Sequence, residues 1–121
     1  MNKTFLNFGR IMSFTQLHKI LKLKNSLRVL YTHEVCYSDF NNFEKNINYL
    51  SNFSLFVKPD YFFKNFKNPN DYNGKKLILT FDDGFLSSYH FAKKVLSKFN
   101  IKAIFFIPTA ILQLSEYKSM E

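Results

Sequence analysis

The sequence predicts an α/β fold built on a parallel sheet, and three observations carry that expectation. Residues 76–107 read as strand, helix, strand, and such a unit implies parallel pairing through a right-handed crossover. Upstream, Leu27-Arg28-Val29-Leu30-Tyr31 reads as another strand, with apolar residues at helical spacing after it. Finally, Thr80-Phe81-Asp82-Asp83-Gly84 follows directly on the apolar run Leu77-Ile78-Leu79. Functional groups in α/β folds gather at the carboxyl ends of parallel strands.

In chain order, residues 5–23 predict a basic amphipathic helix. Phe5, Phe8, Met12, Leu17, Ile20 and Leu21 fall roughly on one face, with Arg10, Lys19, Lys22 and Lys24 elsewhere. Such a helix can lie on an anionic membrane, but packing on its own domain is the plainer expectation. Residues 1–27 are read as a helical extension and 28–121 as the main domain. After the strand at 27–31, Ser38 or Asp39 offers a side-chain acceptor to cap a helix. That helix carries Phe40, Phe43, Ile47 and Leu50 along one stripe. Phe53 to Val57 reads as a short strand, and Pro59 suits the first turn of a short helix through Phe66. Asn68 to Gly74 is dense in turn formers, and Asn73-Gly74 is the strongest signal among them. Beyond the strand Lys76 to Phe81, the stripe Phe85, Tyr89, Ala92, Leu96 and Phe99, joined by Val95, predicts a core-facing helix. Asn100 stops it, and Ala103 to Ile107 forms a strand that Pro108 ends.

Composition narrows the class. At 121 residues the chain is one domain or part of one. Hydrophobic residues make up 46% and include 16 Phe, enough apolar area for a core. The charged fraction of 21% argues against disorder. The net charge of +8 admits an acidic partner such as nucleic acid, anionic lipid or acidic polysaccharide. The lysines are scattered, however, and the abundance of Lys, Asn, Phe, Ile and Tyr matches AT-rich coding DNA. Phe62-Phe63-Lys64-Asn65-Phe66-Lys67 interleaves rings with lysine, the pattern that stacking on single strands requires; a helix of the fold explains it equally. Cys36 is the only cysteine, which excludes an intramolecular disulfide and a Cys-rich zinc site. Its expected place is in the core as a small hydrophobe. The apolar residues of the N-terminus are too interrupted for a signal peptide. No stretch approaches the ~20 apolar residues of a membrane span, so the default expectation is cytoplasmic.

Asp82 and Asp83 are the candidate chemical groups. Two adjacent carboxylates at the end of a buried strand repel each other and lose hydration, so the pair is costly unless a metal or a reacting group uses it. Successive strand residues point to opposite faces, so both carboxylates meet one centre only where the chain leaves the strand. Gly84 gives the freedom for that turn. Asp-Asp-Gly by itself is also ordinary turn composition. His90 reads as a surface or boundary residue and His18 as a solvated one, while His33 ends a strand.

The segment Leu79-Thr80-Phe81-Asp82-Asp83-Gly84-Phe85, then Lys93-Lys94-Val95-Leu96 and Asn100-Ile101-Lys102-Ala103-Ile104-Phe105-Phe106-Ile107-Pro108-Thr109, resembles the polysaccharide deacetylases of the NodB-homology class, carbohydrate esterase family four. Upstream, Leu30-Tyr31-Thr32-His33-Glu34-Val35 looks like the Tyr-His segment that opens the catalytic domain of many members, with Thr32 where Tyr is usual. Phe40-Asn41-Asn42-Phe43-Glu44-Lys45 is similar to the helix after it, so the resemblance covers residues 28–114. It implies the N-terminal part of a distorted (β/α) barrel. It also implies a metal-dependent hydrolase that removes N- or O-acetyl groups from an acetylated polysaccharide or glycan. Asp82 then matches the general base and Asp83 a ligand for Zn2+ or another divalent metal. Gly84 matches the structural turn, and His33 is a candidate for the mouth of the cleft. The family's His-x-x-x-His ligands and its later arginine and histidine motifs do not occur before Glu121. The metal site is therefore expected to be incomplete here. The chain is expected to be a truncated form, inactive without the C-terminal half of the domain. Two other readings stand beside it: a non-catalytic fragment or interaction module completed by a partner, and a basic binder of nucleic acid or a membrane surface.

Overall fold

The computed structural model describes residues 6–7, 25–67 and 73–110. Five strands form one sheet: β1 (Leu6–Asn7), β2 (Ser26–Thr32), β3 (Leu55–Phe56), β4 (Lys75–Phe81) and β5 (Ala103–Phe105). Helices α1 (Phe40–Ser51), α2 (Pro59–Asn65) and α3 (Leu86–Lys94) lie between them. Single 3-10 turns at Tyr37–Asp39 and Leu96–Phe99 complete the described elements. Every pairing among the described residues is parallel, so the fold is α/β, as the strand–helix–strand spacing predicts.

β4 organises the sheet. β2 runs along one of its edges over the full length, from Ser26 opposite Lys75 to Thr32 opposite Phe81. The other edge is shared. β3 takes the amino end at Lys76 and Leu77, and β5 takes the carboxyl end at Leu79, Thr80 and Phe81. Residues 77–81 are all buried, which is why this strand reads as an unbroken apolar run rather than an alternating one. Leu77, Leu79 and Phe81 belong to the main core, while Ile78 and Thr80 point to the opposite face. The turn before β4 is tied to β2. Gly74, at φ +80°, donates its N–H to Asn25 Oδ1 at 3.0 Å and accepts from the Ser26 N–H at 3.1 Å.

The core fills the space between this sheet and the helices. Leu30, Leu77, Leu79 and Phe81 meet Phe43, Ile47 and Leu50 of α1 and Phe91 of α3. The α1 stripe is the one its spacing predicts, with Phe40, Phe43, Ile47 and Leu50 buried. Its start is not. Neither Ser38 nor Asp39 makes a side-chain cap bond; the chain enters through the 3-10 turn, where the Asp39 N–H bonds Cys36 O at 2.9 Å. Pro59 stands in the first turn of α2 as expected. Arg28 lies on the inward face of β2, and burial pulls its guanidinium below the ordinary value.

Several expectations are corrected. Leu6 and Asn7 are extended and pair with Leu30 and Tyr31 rather than starting a helix. The rest of the helix expected over 5–23, His18 included, lies outside the described residues. The strand expected over Phe53 to Val57 shortens to two residues, and the one over Ala103 to Ile107 ends at Phe105. Cys36 is exposed, not in the core. Val35 takes the inward position, and the next residue of an extended segment faces away. The stripe after β4 holds in its second half, where Val95 and Leu96 are buried and Ala92 and Phe99 pack against the core, but not in its first. Phe85 caps the helix from outside, Tyr89 is 52% exposed, and the buried residues are Ser87, Ser88 and Phe91. The serines face inward because the loop after β2 gives them polar neighbours. Ser87 Oγ lies 3.3 Å from Glu34 Oε1, and Ser88 Oγ lies 3.4 Å from His33 O. Asn100 does end the segment, in the left-handed conformation at φ 53°.

Phe91 is the centre of the aromatic core, with ring centroids 5.3 Å from Phe40, 5.7 Å from Phe43 and 6.2 Å from Phe81. Phe91→Ala is expected to cost about 3–5 kcal/mol in urea unfolding. Tyr89→Ala, at a position the sequence stripe turns toward the core, is expected to cost within about 0.5 kcal/mol.

Candidate functional site

The site forms where β4 ends. The Asp82 N–H still follows the strand ladder, bonding Thr32 O at 2.9 Å. Asp83 leaves it, at φ 66°, and Gly84 follows at φ 65°. Two successive left-handed residues turn the chain sharply into α3. Asp tolerates this conformation better than most side chains, and glycine adopts it freely. The turn has the consequence that strand alternation would forbid: Asp82 and Asp83 line the same cleft.

The opposite wall comes from β2 and the segment after β5. β2 ends at Thr32, level with Phe81, so His33 emerges beside the carboxylates. His33 Nδ1 lies 2.8 Å from Asp83 Oδ2, a hydrogen bond between side chains 55% and 51% exposed. An exposed pair of this type contributes about 0–1 kcal/mol to stability, so its weight in the fold is small. The loop behind His33 is held by Thr32, whose hydroxyl donates to Glu34 O at 3.1 Å. On the β5 side, the Phe106 N–H bonds Phe81 O at 2.8 Å. That bond carries Phe106, Ile107 and Pro108 past the turn, where they complete an open cleft of about 380 Å³. A Cβ at Gly84 would stand 3.3 Å from Ile107 Cγ2, so Gly84 is needed both for its φ and for close approach.

Asp82, Asp83, Gly84 and His33, which the sequence singles out, therefore converge. His90 stands apart from the cleft, and its Nδ1 lies 2.7 Å from the Tyr37 hydroxyl. Sequence reasoning missed the apolar wall of Phe106, Ile107 and Pro108. A signal existed: Pro108 ends a strand parallel to β4, so the residues before it emerge at the same end of the sheet as Asp82.

Among the described residues no group of three or more His, Cys, Asp or Glu side chains is placed to hold a metal ion. Catalytic zinc takes about three protein ligands and keeps one open position. Asp83 and His33 make a two-donor pair, so the described residues do not complete a zinc site. Comparison with known proteins finds no matching family model, no matching curated protein and no matching solved structure.

Gly84→Ala is expected to lower stability by about 1–2 kcal/mol, from the left-handed φ together with the contact on Ile107. A thermal unfolding midpoint below that of the parent chain checks it.

Proposed function

We propose that the carboxyl end of β4 is the acidic half of a metal-dependent site that removes N- or O-acetyl groups from a polysaccharide. The reading rests on one observation. Two consecutive carboxylates of a central parallel strand open into one cleft, and a histidine from the neighbouring strand end bonds the second of them at 2.8 Å. The sequence resemblance to the NodB-homology deacetylases names the same two carboxylates for base and metal ligand. The architecture belongs to the same proposal: β2, β4 and β5, parallel and joined through α1, α2 and α3, suit the opening strands of a distorted (β/α) barrel.

The roles follow from position. Asp82 is half-buried at the strand end, where it takes the proton of a water that attacks an acetyl carbonyl. Asp83, exposed and oriented by His33, is the metal-facing carboxylate. Zinc or another divalent ion enters this reading only with donors from outside the described residues. Phe106 and Ile107 supply apolar surface on which an acetyl methyl or a sugar face can rest. A second reading, an interaction module completed by a partner, draws on the exposed Phe106 and Ile107 of the cleft wall and the exposed Phe85 and Leu86 that follow Gly84.

The test is acetate release from N-acetylglucosamine oligomers with zinc supplied. It is run on the chain and on the chain joined to the reading frame that follows the Glu121 codon. The joined protein is expected to release acetate, and Asp82→Asn to lower kcat at least about 100-fold with the fold retained. Unchanged kcat in Asp82→Asn, or no acetate from either protein, overturns the reading. A stable hetero-complex without acetate release supports the second one.

A further inference from the structure

Helix α2 lies away from the site, beside the amino end of β4, and none of its seven residues is buried. That is unusual for Pro-Asp-Tyr-Phe-Phe-Lys-Asn, a segment with three aromatic rings. The exposed residues are spaced as one helical face: Asp60, Phe63, Lys64 and Lys67, with Phe66 beside them. Phe63 is 57% exposed and Phe66 40%. Inward of this face, Phe62 stacks on Phe66 at 5.7 Å and meets Phe63 edge-on at 5.5 Å, so the three rings form one continuous apolar ridge. Lysines frame the ridge. Lys58 precedes the helix, Lys64 and Lys67 lie on its face, and Lys76 of β4 reaches over the Tyr61 ring at 5.6 Å. Asp60 is the only acidic residue from Lys58 to Lys67.

We propose that this ridge docks the protein on an anionic lipid bilayer. Phe rings without a polar group enter the acyl boundary, while lysine stems lie along the apolar surface and hold their ammonium groups at the phosphates. Charge complementarity selects the occupant: the exposed Lys58, Lys64 and Lys67 against one carboxylate suit an anionic surface, and each lysine adds to the attraction. The ring geometry favours lipid over single-stranded nucleic acid. Base stacking needs open ring faces, whereas Phe66 already carries Phe62 stacked on it and Lys67 over its ring at 5.8 Å. No helix among the described residues is long and apolar enough to cross a membrane, so the contact is peripheral. The inference stands on α2 alone and is independent of the chemistry at β4.

The sequence contains no Trp, so Phe63→Trp places a single reporter on the ridge. The test is its fluorescence in the full chain with phosphatidylcholine vesicles, with and without phosphatidylserine. A blue shift with the serine-containing vesicles is expected, reduced at high salt and absent with phosphatidylcholine alone. Lys64→Glu in the same background is expected to weaken binding roughly tenfold. No shift with anionic vesicles, a shift that appears only with single-stranded DNA, or one that grows with protein concentration in buffer alone overturns the proposal. Co-sedimentation of the unmodified chain with the same vesicles decides the matter should the Trp variant fail to fold: pelleting supports the proposal, and its absence overturns it.

Discussion

β4 is hydrogen-bonded on both edges and buried on both faces, and the rest of the described structure is arranged around that constraint. From Leu77 to Phe81 a strand so enclosed has no place for a charge. Leu77, Ile78, Leu79 and Phe81 each remove a large side chain from water, a gain of about 1.5–3 kcal/mol apiece. The neighbouring strands are positioned by the same hydrogen bonds. β2 keeps register with it for seven residues, and β3 and β5 divide the second edge between them. Two short strands on one edge allow the chain to return to the same central strand twice.

The cleft is a consequence of where these strands stop. Because Thr32 is level with Phe81, the residue after β2 and the residues after β4 emerge together. The left-handed turn at Asp83 and Gly84 then breaks the alternation that would send the two carboxylates to opposite faces. Ile107 closes against Gly84, so that a Cβ there would press on its side chain at 3.3 Å. Asp82, Asp83 and His33 thus lie together at the end of the sheet, beside the apolar residues 106–108.

The molecule divides its polar and aromatic residues by location rather than by type. Ser87 and Ser88 are buried because they face the loop of His33 and Glu34, while Tyr89 and the rings of α2 remain at the surface. Lys98 reaches Glu44 at 2.8 Å and ties the 3-10 turn after α3 to α1, an exposed pair of modest weight. The cleft and the α2 ridge lie toward opposite ends of β4.

The amino-acid sequence by itself determined the α/β class, the buried run of β4, the inner stripe of α1, the proline start of α2, and the position of Asp82, Asp83 and Gly84 at a strand end. Those features follow from local periodicity and from the few residues able to form a left-handed turn. Tertiary structure alone decided that Ser87 and Ser88 are buried in the first turns of α3 while Tyr89 is exposed, since hydropathy cannot tell that a serine will meet a carbonyl or a carboxylate from another element. It alone decided that Val35 rather than Cys36 turns inward, and that Leu6 and Asn7 join the sheet. It also brought His33 to Asp83 across 50 residues of chain. That distance is set by the register of β2 on β4, and register is a property of two strands together that neither strand's sequence carries alone.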